Sequence, residues 1–157
     1  DAIGLNDILS SIHQMFLPDA AAKGLRFRLA PTSAEVAAPP LRLMRVVSNL
    51  VANAIKYTED GGVLVGVRRR RGRSDIEIHD SGPGMSASDF ERALARSVRL
   101  DANPGFAEGH GLGLAIASQI AAAEGWTVTR DPRRRSGFGI SVSLPALAER
   151  RMARRSA

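Results

Sequence analysis

The sequence predicts an α+β fold, a two-layer sandwich with a mixed, mostly antiparallel sheet and helices on one face. Three observations predict it. Val63, Val65 and Val67 alternate, as do Ile76, Ile78 and Asp80, on either side of a turn at Arg70 to Arg73; that pattern is a β-hairpin. Trp126 to Arg130 and Gly139 to Leu144 read as a second hairpin. Apolar residues at helical spacing fill the stretches before and between them, and each such stripe must be buried on a sheet face.

The elements follow in order. Asn6 or Asp7 is expected to cap a helix running to about Ala22, with Ile8, Leu9, Ile12, Met15 and Phe16 on its apolar side. Gly24 ends it, and Arg26 to Leu29 reads as a short strand. Pro31 to Pro40 reads as a loop, and its proline pair suits entry into the next helix, which runs to about Thr58. Gly61 and Gly62 make a turn into the first hairpin, and Asp80 sits at the hairpin's end. A helix near Ser86 to Arg96 follows. Leu100 to Glu108 contains Asn103-Pro104-Gly105, has no clear period and reads as a mobile loop. Gly111 to Glu124 is an Ala-rich helix stopped by Gly125. His13 is expected on a helix surface and His79 pointing outward from its strand.

The chain has 157 residues, enough for one domain with one core. Residues 1–145 read as that domain and residues 146–157 as a basic, flexible tail. No run approaches the roughly 18 apolar residues of a membrane span, and no basic-then-apolar secretory N-terminus is seen. Asp1 at the start reads as the edge of an excised domain. The absence of Cys excludes disulfides and thiolate metal sites. The net charge of +6 is concentrated in Arg68 to Arg71 with Arg73, Arg133 to Arg135, and the tail. No aromatic lies within those runs to stack on bases, so they read as solvated loops rather than a nucleic-acid surface.

The most informative residues are Asn49, Asn53, Lys56 and Tyr57. At roughly 100° per residue they share one side of the second long helix, opposite Leu43, Val47, Leu50, Val51, Ala54 and Ile55. The core holds that apolar arc, which leaves amide oxygen, an ammonium and an aromatic ring for a ligand. Two glycine boxes follow, Asp80 to Met85 (DSGPGM) and Gly109 to Leu114 (GHGLGL). Glycines bring backbone N–H groups close to phosphates, and a helix beginning behind them adds a positive end. Together these residues make a nucleotide–magnesium site.

The order N-x-x-x-N-A-x-K-Y, D-x-G-x-G, G-x-G-L-G-L resembles the catalytic ATP-binding domain of sensor histidine kinases, within the superfamily that includes type II topoisomerases, mismatch-repair ATPases and the heat-shock chaperone ATPase. The resemblance runs from about Leu5 to Pro145. It implies the Bergerat-type ATP-binding fold, with Leu100 to Glu108 inside an ATP lid at about residues 100–110. It implies ATP and Mg²⁺ as ligands, with Asn53 on the metal, Asn49 supporting the phosphates and Lys56 neutralising them. Tyr57 would lie against the adenine and Asp80 would read its exocyclic amine, with Gly82 and Gly84 passing close to the base. Gly109, His110, Gly111, Leu112 and Gly113 would meet the phosphates. Hydrolytic relatives carry a Glu where Asn49 stands, and an amide cannot take a proton from water. Asn49 therefore favours transfer over hydrolysis.

The sequence departs from the family in two places. The aromatic box before the lid is replaced by Leu94 to Arg99 (LARSVR), with Phe90 as a shifted substitute and Arg96 and Arg99 as candidate γ-phosphate contacts. Pro39 stands where an Asp often precedes the Arg42-Leu43 pair. The family's phosphoacceptor helix is also not found, and neither His13 nor His79 has its surroundings. The expectation is a domain that binds Mg-ATP and passes the γ-phosphate to a histidine on a separate dimerisation domain of the same protein, with a response regulator downstream. Neither nucleic acid nor membrane contact is expected of the domain itself, which belongs in the cytoplasm even where the parent is membrane-anchored. The rival readings are a non-catalytic nucleotide sensor or scaffold, a hydrolytic ATPase and a basic nucleic-acid module.

Overall fold

The structure is a computed structural model that describes residues 2–96, 112–131 and 137–147. Along the chain come β1 (Ala2–Gly4), α1 (Leu5–Ala22), β2 (Arg26–Leu29), β3 (Glu35–Ala37), α2 (Pro40–Tyr57), β4 (Gly62–Arg70), β5 (Arg73–Asp80), α3 (Ala87–Ala95), α4 (Gly113–Glu124), β6 (Thr127–Arg130) and β7 (Phe138–Pro145).

Both expected hairpins form. β4 pairs antiparallel with β5, placing Val65 opposite Ile78, and β6 pairs antiparallel with β7. β5 and β7 join the hairpins, and β2 adds to β4 in parallel, giving a mixed sheet of order β2-β4-β5-β7-β6. Val63, Val65, Ile76, Ile78, Ile140, Val142 and Leu144 are buried on one face under α1, α2 and α4. The other face carries Arg26, Arg28, Leu64 and Glu77 and is open, with Leu64 44% exposed. The predicted α+β sandwich is therefore present.

Burial sets α2. Leu43, Val46, Val47, Leu50, Val51, Ala54 and Ile55 are all buried. Burying one such large aliphatic side chain is worth about 1.5–3 kcal/mol. The missing side-chain cap at Pro39 costs only about 1 kcal/mol, so burial decides.

Four local expectations are corrected. Neither Asn6 nor Asp7 caps α1, because the helix starts at Leu5 behind Gly4. Residues 2–4 are held instead as a strand against β3, Leu5 N donates to Ala34 O at 3.0 Å, and Asn6 Oδ1 accepts from Thr32 N at 3.2 Å. The expected loop from Pro31 to Pro40 thus contains β3. On α1 the buried stripe is Leu5, Leu9, Ile12, Phe16 and Ala20, while Met15 is 54% exposed; Met15 lies on the flank of the arc, one step beyond the residues that meet the sheet. His13 is not a free surface residue: its Nε2 is 2.8 Å from Phe27 O and its ring packs on Phe27 at 4.5 Å. His79 does lie on the open face but is mostly covered, with Nε2 2.9 Å from Glu77 Oε1.

In the arginine-rich turn Arg68, Arg69, Arg71 and Arg73 are exposed, as expected, and Arg70 is half-buried. Asp75, buried in β5, accepts from Arg70 Nε at 2.9 Å and from Ser143 Oγ at 2.7 Å, and Arg73 Nε lies 3.2 Å away. Arg68 Nε reaches Glu77 at 3.3 Å. Part of the positive charge is thus paired with carboxylates of β5 while the arginines still reach solvent.

Candidate functional site

The polar stripe of α2 lies opposite its buried arc. Asn49 and Asn53 are half-buried, and Lys56 and Tyr57 are exposed. The end of this helix is held by a residue far off in sequence. Lys23 Nζ donates to Ile55 O at 2.8 Å and to Lys56 O at 3.0 Å. A cation there satisfies carbonyls that the helix leaves unpaired and meets its negative end. It also fixes the backbone that carries Lys56 and Tyr57, whose side chains stack with Lys56 Nζ 5.4 Å from the ring centroid. No sequence signal marks Lys23, because the contact spans 32 positions.

Asn53 and Tyr57 line a cavity of about 250 Å³ together with Asp80, Pro83, Gly84, Met85 and Phe138. The stripe and the first glycine box therefore meet. Asp80 ends β5, is 7% exposed, and its Oδ1 accepts the Gly82 N–H at 2.8 Å. Gly82 is required by close approach: a Cβ there would lie 3.0 Å from Tyr57 O and 3.1 Å from Asp80 Oδ1. Gly84 has φ +75°, and a Cβ would lie 3.2 Å from Phe138 Cδ2. A side chain at either position would crowd the cavity wall.

Phe138 was missed by the sequence reading, which began its strand at Gly139. An aromatic between Gly137 and Gly139 at a strand start was the available signal. Phe90 packs edge-on against it, with centroids 6.1 Å apart and planes at 69°. Phe90 is thus buried behind the cavity, where it braces an aromatic wall.

Asn49 lies beside Gly113, the described end of the second glycine box. Its Nδ2 donates to Arg45 O at 2.9 Å, and its Oδ1 lies 3.6 Å from where a Gly113 side chain would start. Gly113 opens α4 and Leu112 gives it no side-chain cap, so the positive end of α4 adjoins the stripe. Gly109, His110, Gly111, Arg99 and the expected lid at about residues 100–110 lie outside the described residues. Arg96 ends α3 and is exposed.

A larger hollow of about 470 Å³ crosses the open sheet face at Leu64, Gly66, Glu77 and His79. Its Glu77 is already engaged by Arg68 and His79. The smaller cavity has what ligand binding asks for, apolar walls with a few convergent polar groups.

A cavity at the end of β5, a glycine loop over it and a polar helix beside it define a nucleotide-binding domain of the histidine-kinase ATPase type. The sequence profile of the family described as histidine kinase-, DNA gyrase B-, and HSP90-like ATPase matches residues 38–148, and the chain belongs to that family. Among curated relatives, it is 31% identical over 155 residues to the aerobic respiration control sensor protein ArcB of Escherichia coli K12, covering 94% of this chain and 20% of ArcB. It is 36% identical over 122 residues to the sensor-like histidine kinase SenX3 of Mycobacterium tuberculosis H37Rv, covering 76% of this chain and 30% of SenX3. Among solved structures it is similar to full-length ShkA in complex with AMPPNP, with TM-score 0.76, 27% identity, and 93% of this chain and 31% of ShkA covered. The chain thus spans a fifth to a third of the length of these relatives.

Proposed function

We propose that this domain binds Mg-ATP and donates the γ-phosphate to a histidine on a separate dimerisation and phosphoacceptor domain of a longer two-component sensor kinase. The observation that carries the reading is the convergence of Asn53, Tyr57 and Asp80 on one cavity, with Asn49, one turn earlier on α2, beside the start of α4. The family and its named kinase relatives support it. So does the likeness to ShkA, whose structure was solved with an ATP analogue.

The residues fit the ligand by chemistry. A carboxylate only accepts hydrogen bonds, so Asp80 selects a base with an exocyclic amine and disfavours one with a carbonyl there. Tyr57 and Phe138 give the base apolar contact. Asn53, Asn49 and the first turn of α4 would receive the phosphates, with Lys56 as a counter-charge. Mg²⁺ wants oxygen and keeps several waters, so one amide oxygen from Asn53 alongside phosphate oxygens suffices. Bound there, the ion neutralises charge on the transferring group. The second glycine box, Gly109, His110, Gly111, Leu112 and Gly113, would offer backbone N–H groups to the phosphates.

In the reaction the acceptor imidazole nitrogen forms a bond to the γ-phosphorus while the bond to the β-phosphate bridging oxygen breaks, and ADP leaves. Phosphoryl transfer is mostly positioning and charge stabilisation. This site has the means for both, and its described cavity lining holds no Ser, Cys or His. Asn49 cannot act as a base toward water, which suits transfer over hydrolysis. The domain works in the cytoplasm, where ATP is available, and the phosphoryl group passes on to a response regulator. No helix among the described residues is long and apolar enough to cross a membrane.

The test is transfer of label from γ-labelled ATP to a supplied phosphoacceptor domain. Labelling of the acceptor histidine that needs this chain and Mg²⁺ is expected, with no labelling of this chain at His13. Tight nucleotide binding without any transfer would instead favour the non-catalytic nucleotide-sensor reading.

A further inference from the structure

Arg70 and Arg73 stand directly opposite each other across the β4–β5 hairpin, where like charges repel. Asp75, buried in β5, answers both. Its carboxylate meets Arg70 Nε at 2.9 Å and Arg73 Nε at 3.2 Å, and it also accepts from Ser143 Oγ at 2.7 Å. Two guanidiniums carry about ten N–H donors, and a carboxylate accepts about four bonds. Donors on both arginines are therefore left for another acceptor. Arg69, next along the hairpin, donates from Nη2 to Ser33 Oγ at 2.6 Å. The three arginines, with Ser33 and Ser74, line a cavity of about 340 Å³. Its walls are tied together: Ala146 N donates to Gly72 O at 3.2 Å, and Ala146 bridges to Val36 of β3. β5 runs from Arg73 to Asp80, so at about 3.3 Å per residue this cavity lies roughly 20 Å from the nucleotide site.

We propose that this cavity is a docking site for an acidic peptide segment of a protein partner, whose carboxylates are received by Arg69, Arg70 and Arg73. The inference does not depend on the nucleotide reading. A guanidinium is planar and can hold a carboxylate through two parallel N–H bonds. Asp75 and Ser33 hold these forks before any ligand arrives, which lowers the ordering cost of binding. The lining favours a peptide over a compact anion. Ala34, Ala146 and Leu147 give it apolar surface, and Glu35 places a carboxylate on one wall. A small, multiply charged anion gains nothing from the first and is repelled by the second. A peptide lays its methylenes on the apolar wall and turns its carboxylates to the arginines. Residues 148–157 of this chain hold four Arg and one Glu, so their charge repeats that of the cavity instead of complementing it.

Fluorescence anisotropy of a labelled oligoglutamate peptide at low salt tests this on the parent chain, Arg69→Gln, Arg73→Gln and Arg71→Gln. Arg71 is exposed at the same turn but does not line the cavity. All three variants lose one charge, and only two lose a lining fork. Arg69→Gln and Arg73→Gln are each expected to lose about five- to tenfold in affinity, and Arg71→Gln less than about twofold. Arg73→Lys keeps the charge without the planar fork and should recover only part of the loss. Urea unfolding identifies a variant that fails to fold; Arg69, held by Ser33 rather than Asp75, keeps the test decisive if Arg73→Gln does so. No peptide binding by the parent overturns the proposal, as does an equal loss in Arg71→Gln, which would mark a diffuse field. Tighter binding of a single-stranded oligonucleotide, lost in the same two variants, would also overturn it in favour of a nucleic-acid surface.

Discussion

Asp80 Oδ1 accepts the backbone N–H of Gly82 at 2.8 Å. This bond folds the loop after β5 back over the carboxylate that ends the strand and fixes the plane in which that carboxylate meets the cavity. A side chain at residue 82 would press on this carboxylate and on the end of α2 together. Gly82→Ala should therefore keep the fold and lose at least about tenfold in affinity for an ATP analogue, the loss of one charge-assisted hydrogen bond. Circular dichroism and calorimetry on the same sample check both halves, and unchanged affinity would remove Gly82 from the site.

Asp80→Asn changes one acceptor oxygen into a donor within nearly the same volume. The expected outcome is weaker binding of AMPPNP, by about tenfold or more, and a narrower preference for AMPPNP over its guanine counterpart. Competition binding with the two analogues reads the ratio directly. A ratio that stays at the parent's value would mean that another group reads the base.

Asn53→Ala separates metal from base. Its penalty should be largest with Mg²⁺ present and small in its absence, because a lost oxygen ligand matters only when the ion is bound. Titrations at matched ionic strength, with and without Mg²⁺, give the two penalties. Equal penalties would place Asn53 on the nucleotide rather than on the ion.

Lys23→Met removes the ammonium from the end of α2 while keeping most of the side-chain stem. Two helix carbonyls then lose a charged donor. A loss of about 1 kcal/mol is expected, which lowers the melting temperature by roughly 2–4 °C for a domain of this size. Nucleotide affinity should fall modestly as well, because Lys56 and Tyr57 sit on the released turn. A melting temperature identical to the parent's would show that water replaces the lysine without cost.

Asp75→Ala leaves Arg70 and Arg73 facing a buried, uncompensated position and strips Ser143 Oγ of its acceptor. The expected destabilisation is about 2–3 kcal/mol, below the value for a fully buried pair because both arginines reach solvent. Urea unfolding measures it. The site lies away from this cluster, so AMPPNP affinity at low temperature should be unchanged.

The sequence by itself determined the hairpins, the two long helices and the shared face of Asn49, Asn53, Lys56 and Tyr57. Periodicity is local: Val63 to Val67 alternate because strands do, and Asn49, Asn53, Lys56 and Tyr57 share a face because helices turn at a fixed rate. Asp80 was legible for the same reason, as the last step of an alternating run before a glycine turn. The family boxes then supplied roles that no single residue would have carried.

Tertiary structure decided what depends on contacts between distant segments. The pairing of β1 with β3 overruled the expected cap at Asn6 or Asp7, because ladder bonds and the burial of Leu5 outweigh one side-chain cap. The seat of Lys23 on α2, the aromatic wall of Phe138 braced by Phe90, and the bond of Arg69 to Ser33 all join residues that local patterning cannot connect. His13 looked exposed along its helix and is covered only because β2 lies beside it. Local propensity fixed the elements and the chemistry they carry. Which side chains share one cavity is a property of packing in three dimensions, and it is there that Phe138 comes to lie beside Asp80.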